Sequence, residues 1–185
     1  MNDIASSVLG PWSNFYMLTG SSAGALTGLM FVVITLVTGV ERIRRNRDGI
    51  SAFSTPTVLH FGAALLVSAI LSAPWPSLAF PAWLLAIAGL FAVVYVSRVW
   101  FLTRRFTEYT PDLEDWIFYT ILPLVAYSTI LVGAIVLNAA PHCAPFALAG
   151  AVLLLIFIGI RNAWDVVTYI AIEHTGDPSP GGDTL

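Results

Sequence analysis

Five side chains carry whatever chemistry this chain has: His60, Arg98, Arg161, Asn162 and Asp165. His60 lies within a long charge-free run, Arg98 and Arg161 each end one, and Asn162 and Asp165 follow Arg161 within four residues. Depth can be counted at about 1.5 Å per helical residue. Arg98 lies 15 residues after Trp83, Arg161 lies 16 after Pro145, and His60 lies 14 before Pro74. Those spacings are roughly 22, 24 and 21 Å of helix. In a hydrocarbon core about 30 Å thick, the three therefore share one level, several ångströms inside one boundary. Asp165 is a turn further out. It is spaced to pair with Arg161 on one helix face, and it is also within reach of Arg98 across helices. Asn162 adds a carboxamide to the same layer. Charged groups inside a span are costly and mark function by default. Two readings follow. The layer locks helices together, with arginines snorkelling to the interface. Or it lines the mouth of an ion or anion path, where His60 would add pH sensitivity.

Two further motifs bear on such a path. Asp115, Tyr119, Pro123 and Tyr127 recur at four-residue steps, a slowly drifting polar stripe. Pro123 frees the carbonyl of Tyr119 and should kink the helix, as a gate or as a packed bend. The stretch from Thr19 to Gly28 has one large side chain, Leu26, and sets Gly20, Gly24 and Gly28 four apart on one face. Small residues let helix backbones approach closely in lipid. That surface serves packing within one bundle, packing between protomers of a homo-oligomer, or, through Thr19, Ser21, Ser22 and Thr27, a wetted pore wall. A helix small nearly all round is expected at the centre of its bundle.

Other chemistry lacks its residues. Without lysine there is neither a Schiff base nor a phosphate-loop motif. His60, His142 and His174 fall at different levels, and Cys143 is the one cysteine, so no metal or haem site is expected. Asp165 is the one acid near the apolar core, so no carboxylate pair is available for acid–base work. No cofactor and no enzymatic activity are expected.

The elements that position these residues follow from where charge is absent. The chain has 185 residues, 8 basic and 11 acidic. No formal charge occurs in 4–40, 49–97 or 116–160, runs of 37, 49 and 45 residues. A soluble domain cannot cover its surface that way, so a soluble enzyme, a nucleic-acid binder and a disordered chain are excluded. A span needs about 20 apolar residues. The first run holds one. The others each hold two, broken at Pro74-Trp75-Pro76-Ser77 (closed by Pro81) and at Asn138-Ala139-Ala140-Pro141 (closed by Pro145). Five helices are expected, at roughly 13–40, 56–73, 82–104, 113–138 and 145–172. Thr55-Pro56 reads as the start of the second, and Pro111-Asp112 with Glu114 and Asp115 as the start of the fourth.

All eight basic residues are arginines, and with five crossings they fall on one side. The positive-inside rule then sets the N-terminus outside and the C-terminus in the cytoplasm. Trp12, Trp75 and Trp83 belong to the outer aromatic belt, and Trp100, Trp116 and Trp164 to the inner one. The organisation expected is a single five-helix domain, 1–172, with a disordered cytoplasmic tail, 173–185.

Three stretches resemble small bacterial multi-pass integral membrane proteins of unassigned function. They are Trp12-Ser13-Asn14-Phe15-Tyr16 through Gly28-Leu29-Met30-Phe31-Val32-Val33, Ser54-Thr55-Pro56-Thr57-Val58-Leu59-His60-Phe61, and Ile158-Gly159-Ile160-Arg161-Asn162-Ala163-Trp164-Asp165. The resemblance implies a bacterial cytoplasmic membrane and no particular activity. The expectation is an all-α, self-associating inner-membrane bundle, an ion or small-solute channel with its first helix near the axis. The alternative is an interaction or regulatory protein. That protein would dock a cytoplasmic partner or anionic lipid on the Arg-rich loop 41–48 and on loop 104–115.

Overall fold

The computed structural model describes residues 3–38, 47–103 and 116–175, with side chains over 4–35, 56–101 and 116–168. All elements in those stretches are helical. α1 (Asp3–Leu9) leads through a 3₁₀ turn (Gly10–Trp12) into α2 (Ser13–Thr38). α3 (Arg47–Ser72), α4 (Ala79–Thr103), α5 (Leu122–Val136) and α6 (Ala144–Thr175) follow, and a π-helical turn (Ile117–Ile121) precedes α5. Among the described residues, four helical stretches are long and apolar enough to cross a membrane: Ile4–Thr35, Ala79–Phe101, Ile117–Val136 and Ala144–Thr168. A fifth apolar stretch, Pro56–Ser72, is shorter. The chain is a helical bundle of the membrane-spanning type.

Apolar residues face both the lipid and the interior of this bundle, so hydrophobicity alone does not sort them. Phe31, Phe91, Ile87 and Trp83 are exposed, as lipid-facing residues are. Leu148, Val152 and Leu155 on α6 are wholly buried. α6 packs against both α3 and α5, α2 packs along α3, and α4 along α5. The sequence of neighbours is thus α2, α3, α6, α5, α4. The last helix is the central one. The first, expected at the centre, lies at the edge: 22% of its apolar stretch is buried, against 50% for α6. Small residues permit close approach but do not attract, so they fit an edge helix that meets one neighbour closely.

Each of the four main pairings carries a glycine against a larger group. A Cβ on Gly20 would lie 3.0 Å from Ser68 Cβ, joining α2 to α3. On Gly89 it would lie 3.0 Å from the Leu131 backbone nitrogen, joining α4 to α5. On Gly133 it would meet Leu148 at 2.9 Å, and on Gly159 the Phe61 ring at 2.5 Å. With little hydrophobic drive between helices in lipid, these approaches are where dispersion contact is gained. Only Gly20 of the repeated glycines takes part. Gly24 meets Leu65 at 3.9 Å, and Gly28 has nothing within 4 Å.

Two helix starts need correction or restriction. α3 does not start at Thr55-Pro56. It begins at Arg47 and carries Pro56 inside. Proline removes one backbone hydrogen bond, and near the polar end of a span water can hydrate the released carbonyl, so the helix continues. The expected start of the fourth helix at 111–115, with Asp115, lies outside the described residues. So do Arg42, Arg44, Arg45, Arg104 and Arg105, and the tail from 176. α6 runs to Thr175, past the expected end at 172.

The two ends of the bundle are marked by aromatic groups. At one end Trp12 packs on Phe15, Tyr16 and Phe146, and the buried Tyr16 hydroxyl donates to the Pro145 carbonyl at 3.2 Å. At the other, the rings of Trp100 and Trp116 meet edge to face at 6.3 Å, joining α4 to the residue that leads into the π-helical turn.

Candidate functional site

The polar residues of the sequence divide into a buried group and an exposed one. α3 turns Thr57, His60, Phe61, Ala64, Val67, Ser68 and Leu71 inward, a helical period that carries His60 into the bundle. α5 turns Pro123, Ala126, Tyr127 and Ile130 inward, and α6 turns Leu155, Ile158, Asn162 and Val166. His60 Nδ1 and the Tyr127 hydroxyl are 2.8 Å apart, and the imidazole tautomer decides which donates. The next residue, Phe61, lies against Gly159. Asn162 is three residues beyond Gly159, a rise of about 4.5 Å, which sets it one turn nearer the Trp100 end.

Asn162 is fully buried, yet among the described residues neither its side-chain nitrogen nor its oxygen has a hydrogen-bond partner. The neighbouring charges are already matched. Arg161 and Asp165 form an ion pair on one face of α6, and the guanidinium carbon lies 5.4 Å from the centre of the Phe118 ring. That ring belongs to the π-helical turn, where Leu122 N–H donates to the Ile117 carbonyl and Pro123 has no N–H to give. Ahead of Pro123 the helix is therefore widened by one residue. Tyr119 is half-buried within that turn.

Arg98 stands apart. It is exposed on α4, and Asp165 pairs with Arg161. The layer thus has a neutral core of imidazole, phenol and carboxamide and a neutralised ion pair at its rim. Such a set offers donors and acceptors without net charge. It suits water, a proton or a small neutral polar solute better than a fixed anion. Gly20, Gly24 and Gly28 lie on α2, which packs mainly along α3. Among the described residues, no three His, Cys, Asp or Glu side chains come together.

Sequence reasoning placed His60 and Tyr127 in separate motifs and did not join them, and it passed over the buried Thr57. Tyr127→Phe removes the hydroxyl from the His60 pair and keeps the ring. It should cost about 0.5–1.5 kcal/mol, seen as a lower midpoint for unfolding in mixed dodecyl maltoside and dodecyl sulfate micelles. No family model, no curated protein and no solved structure matches the chain.

Proposed function

We propose that the chain is a homo-oligomeric bacterial inner-membrane protein that passes a small polar solute or ion across the bilayer, without enzymatic activity. The observation that carries this reading is Asn162: a carboxamide wholly buried in a membrane bundle with both of its polar atoms unpartnered among the described residues. Inside a bilayer an unpaired polar group is expensive, and a passing polar species satisfies it. The π-helical turn and Pro123 supply a hinge beside it. Such turns recur at functional sites because they loosen one helical turn without breaking the helix. Self-association is supported by α2, the least covered span, which leaves Ser21, Ser22 and Ala25 exposed. Flux measured in proteoliposomes tests the reading. Wild-type protein should raise the permeability to protons or small uncharged solutes above that of protein-free vesicles, and Asn162→Leu should return it to that background.

The reading includes five crossings with the N-terminus outside. It is supported by the one-sided arginines and by the length of α3, whose 26 residues add polar turns to the shorter apolar stretch. Cys143 is exposed in the α5–α6 turn. In intact spheroplasts a membrane-impermeant maleimide should label it without lysis; labelling that requires lysis would reverse the orientation. A second reading, an interaction protein docking partners or anionic lipid on loop 41–48, is favoured by the tight packing of Leu148, Val152 and Leu155 toward the Trp12 end. Background flux from correctly oriented, oligomeric protein would decide for it.

A further inference from the structure

α3 and α4 touch only slightly, because each packs mainly on other helices. Between them runs a furrow of about 840 Å³, floored by Tyr127 and Ile130 of α5. Along α3 it extends from Val58 to Ile70. Those twelve residues of rise give a length of about 18 Å. Its rims, Leu59, Leu66, Ile87 and Phe91, are exposed, so it opens sideways toward lipid. Its lining is apolar except at the end nearer Trp100. There the half-buried Tyr95 presents a hydroxyl with no hydrogen-bond partner among the described residues. Arg98, exposed, follows three residues later on the same face of α4.

We propose that this furrow binds one anionic phospholipid from the leaflet on the Trp100 side. One acyl chain lies along the furrow, an ester carbonyl accepts from the Tyr95 hydroxyl, and the phosphate sits against the Arg98 guanidinium. The order of groups matches. Moving along α4 toward water, the protein offers apolar wall, hydroxyl and cation; the lipid offers chain, ester and phosphate. The charge preference comes from Arg98, exposed on α4 three residues beyond Tyr95, while Asp165 is paired with Arg161. The site is independent of the permeation reading. It adjoins it through Tyr127, which floors the furrow and holds His60.

The test is lipid retention and titration by native mass spectrometry on the full chain in dodecyl maltoside. The probes are phosphatidylglycerol and phosphatidylcholine with identical chains. One phosphatidylglycerol per protomer should be retained, at least fivefold in preference to phosphatidylcholine. Arg98→Gln should bring the two lipids to parity, and Tyr95→Phe should weaken both several-fold. Gly62→Leu grows a side chain from the α3 wall, where an added Cβ meets nothing within 4 Å, and should abolish retention of both without disturbing the fold. Equal retention of the two lipids by wild type, or unchanged retention in Gly62→Leu with a wild-type circular dichroism spectrum, overturns the proposal. Because Arg98 is exposed, loss of its selectivity is readable even where a furrow variant fails to fold.

Discussion

Gly159→Leu should separate α3 from α6 and give the largest loss of stability of any single substitution in the bundle. A Cβ at this position would already lie 2.5–2.8 Å from three atoms of the Phe61 ring. Those distances are well inside van der Waals contact, so the ring or the backbone must move. The ring has nowhere to go, since Phe61 is 0% exposed. Even Gly159→Ala should cost about 1–3 kcal/mol by overpacking, and leucine should exceed that. The effect is transmitted to the polar layer. Phe61 adjoins His60, so a helix pushed outward there stretches the 2.8 Å bond to Tyr127. The measurement is the midpoint of unfolding in mixed dodecyl maltoside and dodecyl sulfate micelles. Gly28→Ala is the control, because a Cβ there meets nothing within 4 Å. Phe61→Leu makes room, so the double variant Phe61→Leu with Gly159→Ala should lose less than the sum of the two singles. A midpoint for Gly159→Ala equal to that of Gly28→Ala would refute the close packing of these helices.

The elements of this fold were legible because lipid forbids charge and proline forbids helix interiors. The charge-free runs and their proline breaks located the apolar segments to within a few residues, with Pro56 the exception. Proline ends a helix only where the lost hydrogen bond cannot be made good, and sequence does not say where water reaches. Packing was far less legible. The repeat of Gly20, Gly24 and Gly28 has a visible period, yet Gly89, Gly133 and Gly159 make closer approaches as isolated residues in apolar runs. A lone glycine has no signature, since its role depends on what faces it. The same limit hid the His60–Tyr127 bond. Counted from Asn138, Tyr127 lies roughly 16 Å deep, about 5 Å short of His60. A tyrosine side chain leans toward the N-terminus of its helix and is long enough to close that gap. Depth alone grouped Arg98 with Arg161, but azimuth separates them: α4 turns Arg98 outward, while α6 turns Asn162 in.

On the permeation reading proposed above, Asn162→Leu should keep or raise stability while lowering flux, and the combination of signs is what separates a functional residue from a structural one. Leucine has the branching and the heavy-atom count of asparagine, in bulkier methyl groups, and no polar atoms. A structural asparagine would lose hydrogen bonds on this change, and the bundle would weaken. Here neither atom of the carboxamide has a partner to lose among the described residues. Leaving a buried donor or acceptor unsatisfied costs about 1–3 kcal/mol, so removal should leave stability equal or higher by up to about that amount. The surroundings favour the replacement, since Ile158 and Leu155 share the buried face of α6. Flux should respond in the opposite direction. With the carboxamide gone, the layer keeps the His60–Tyr127 pair and the Arg161–Asp165 pair, each satisfied internally. No group remains to replace the hydration of a passing solute, and permeability should fall to that of protein-free vesicles. Such opposed changes are the usual mark of a polar group retained for activity at the expense of stability. A lowered unfolding midpoint would show that Asn162 is held by the protein and serves the fold. An unchanged flux at higher stability would remove it from the path. Only a stable, folded and impermeable Asn162→Leu protein agrees with a polar way-station inside an otherwise apolar bundle.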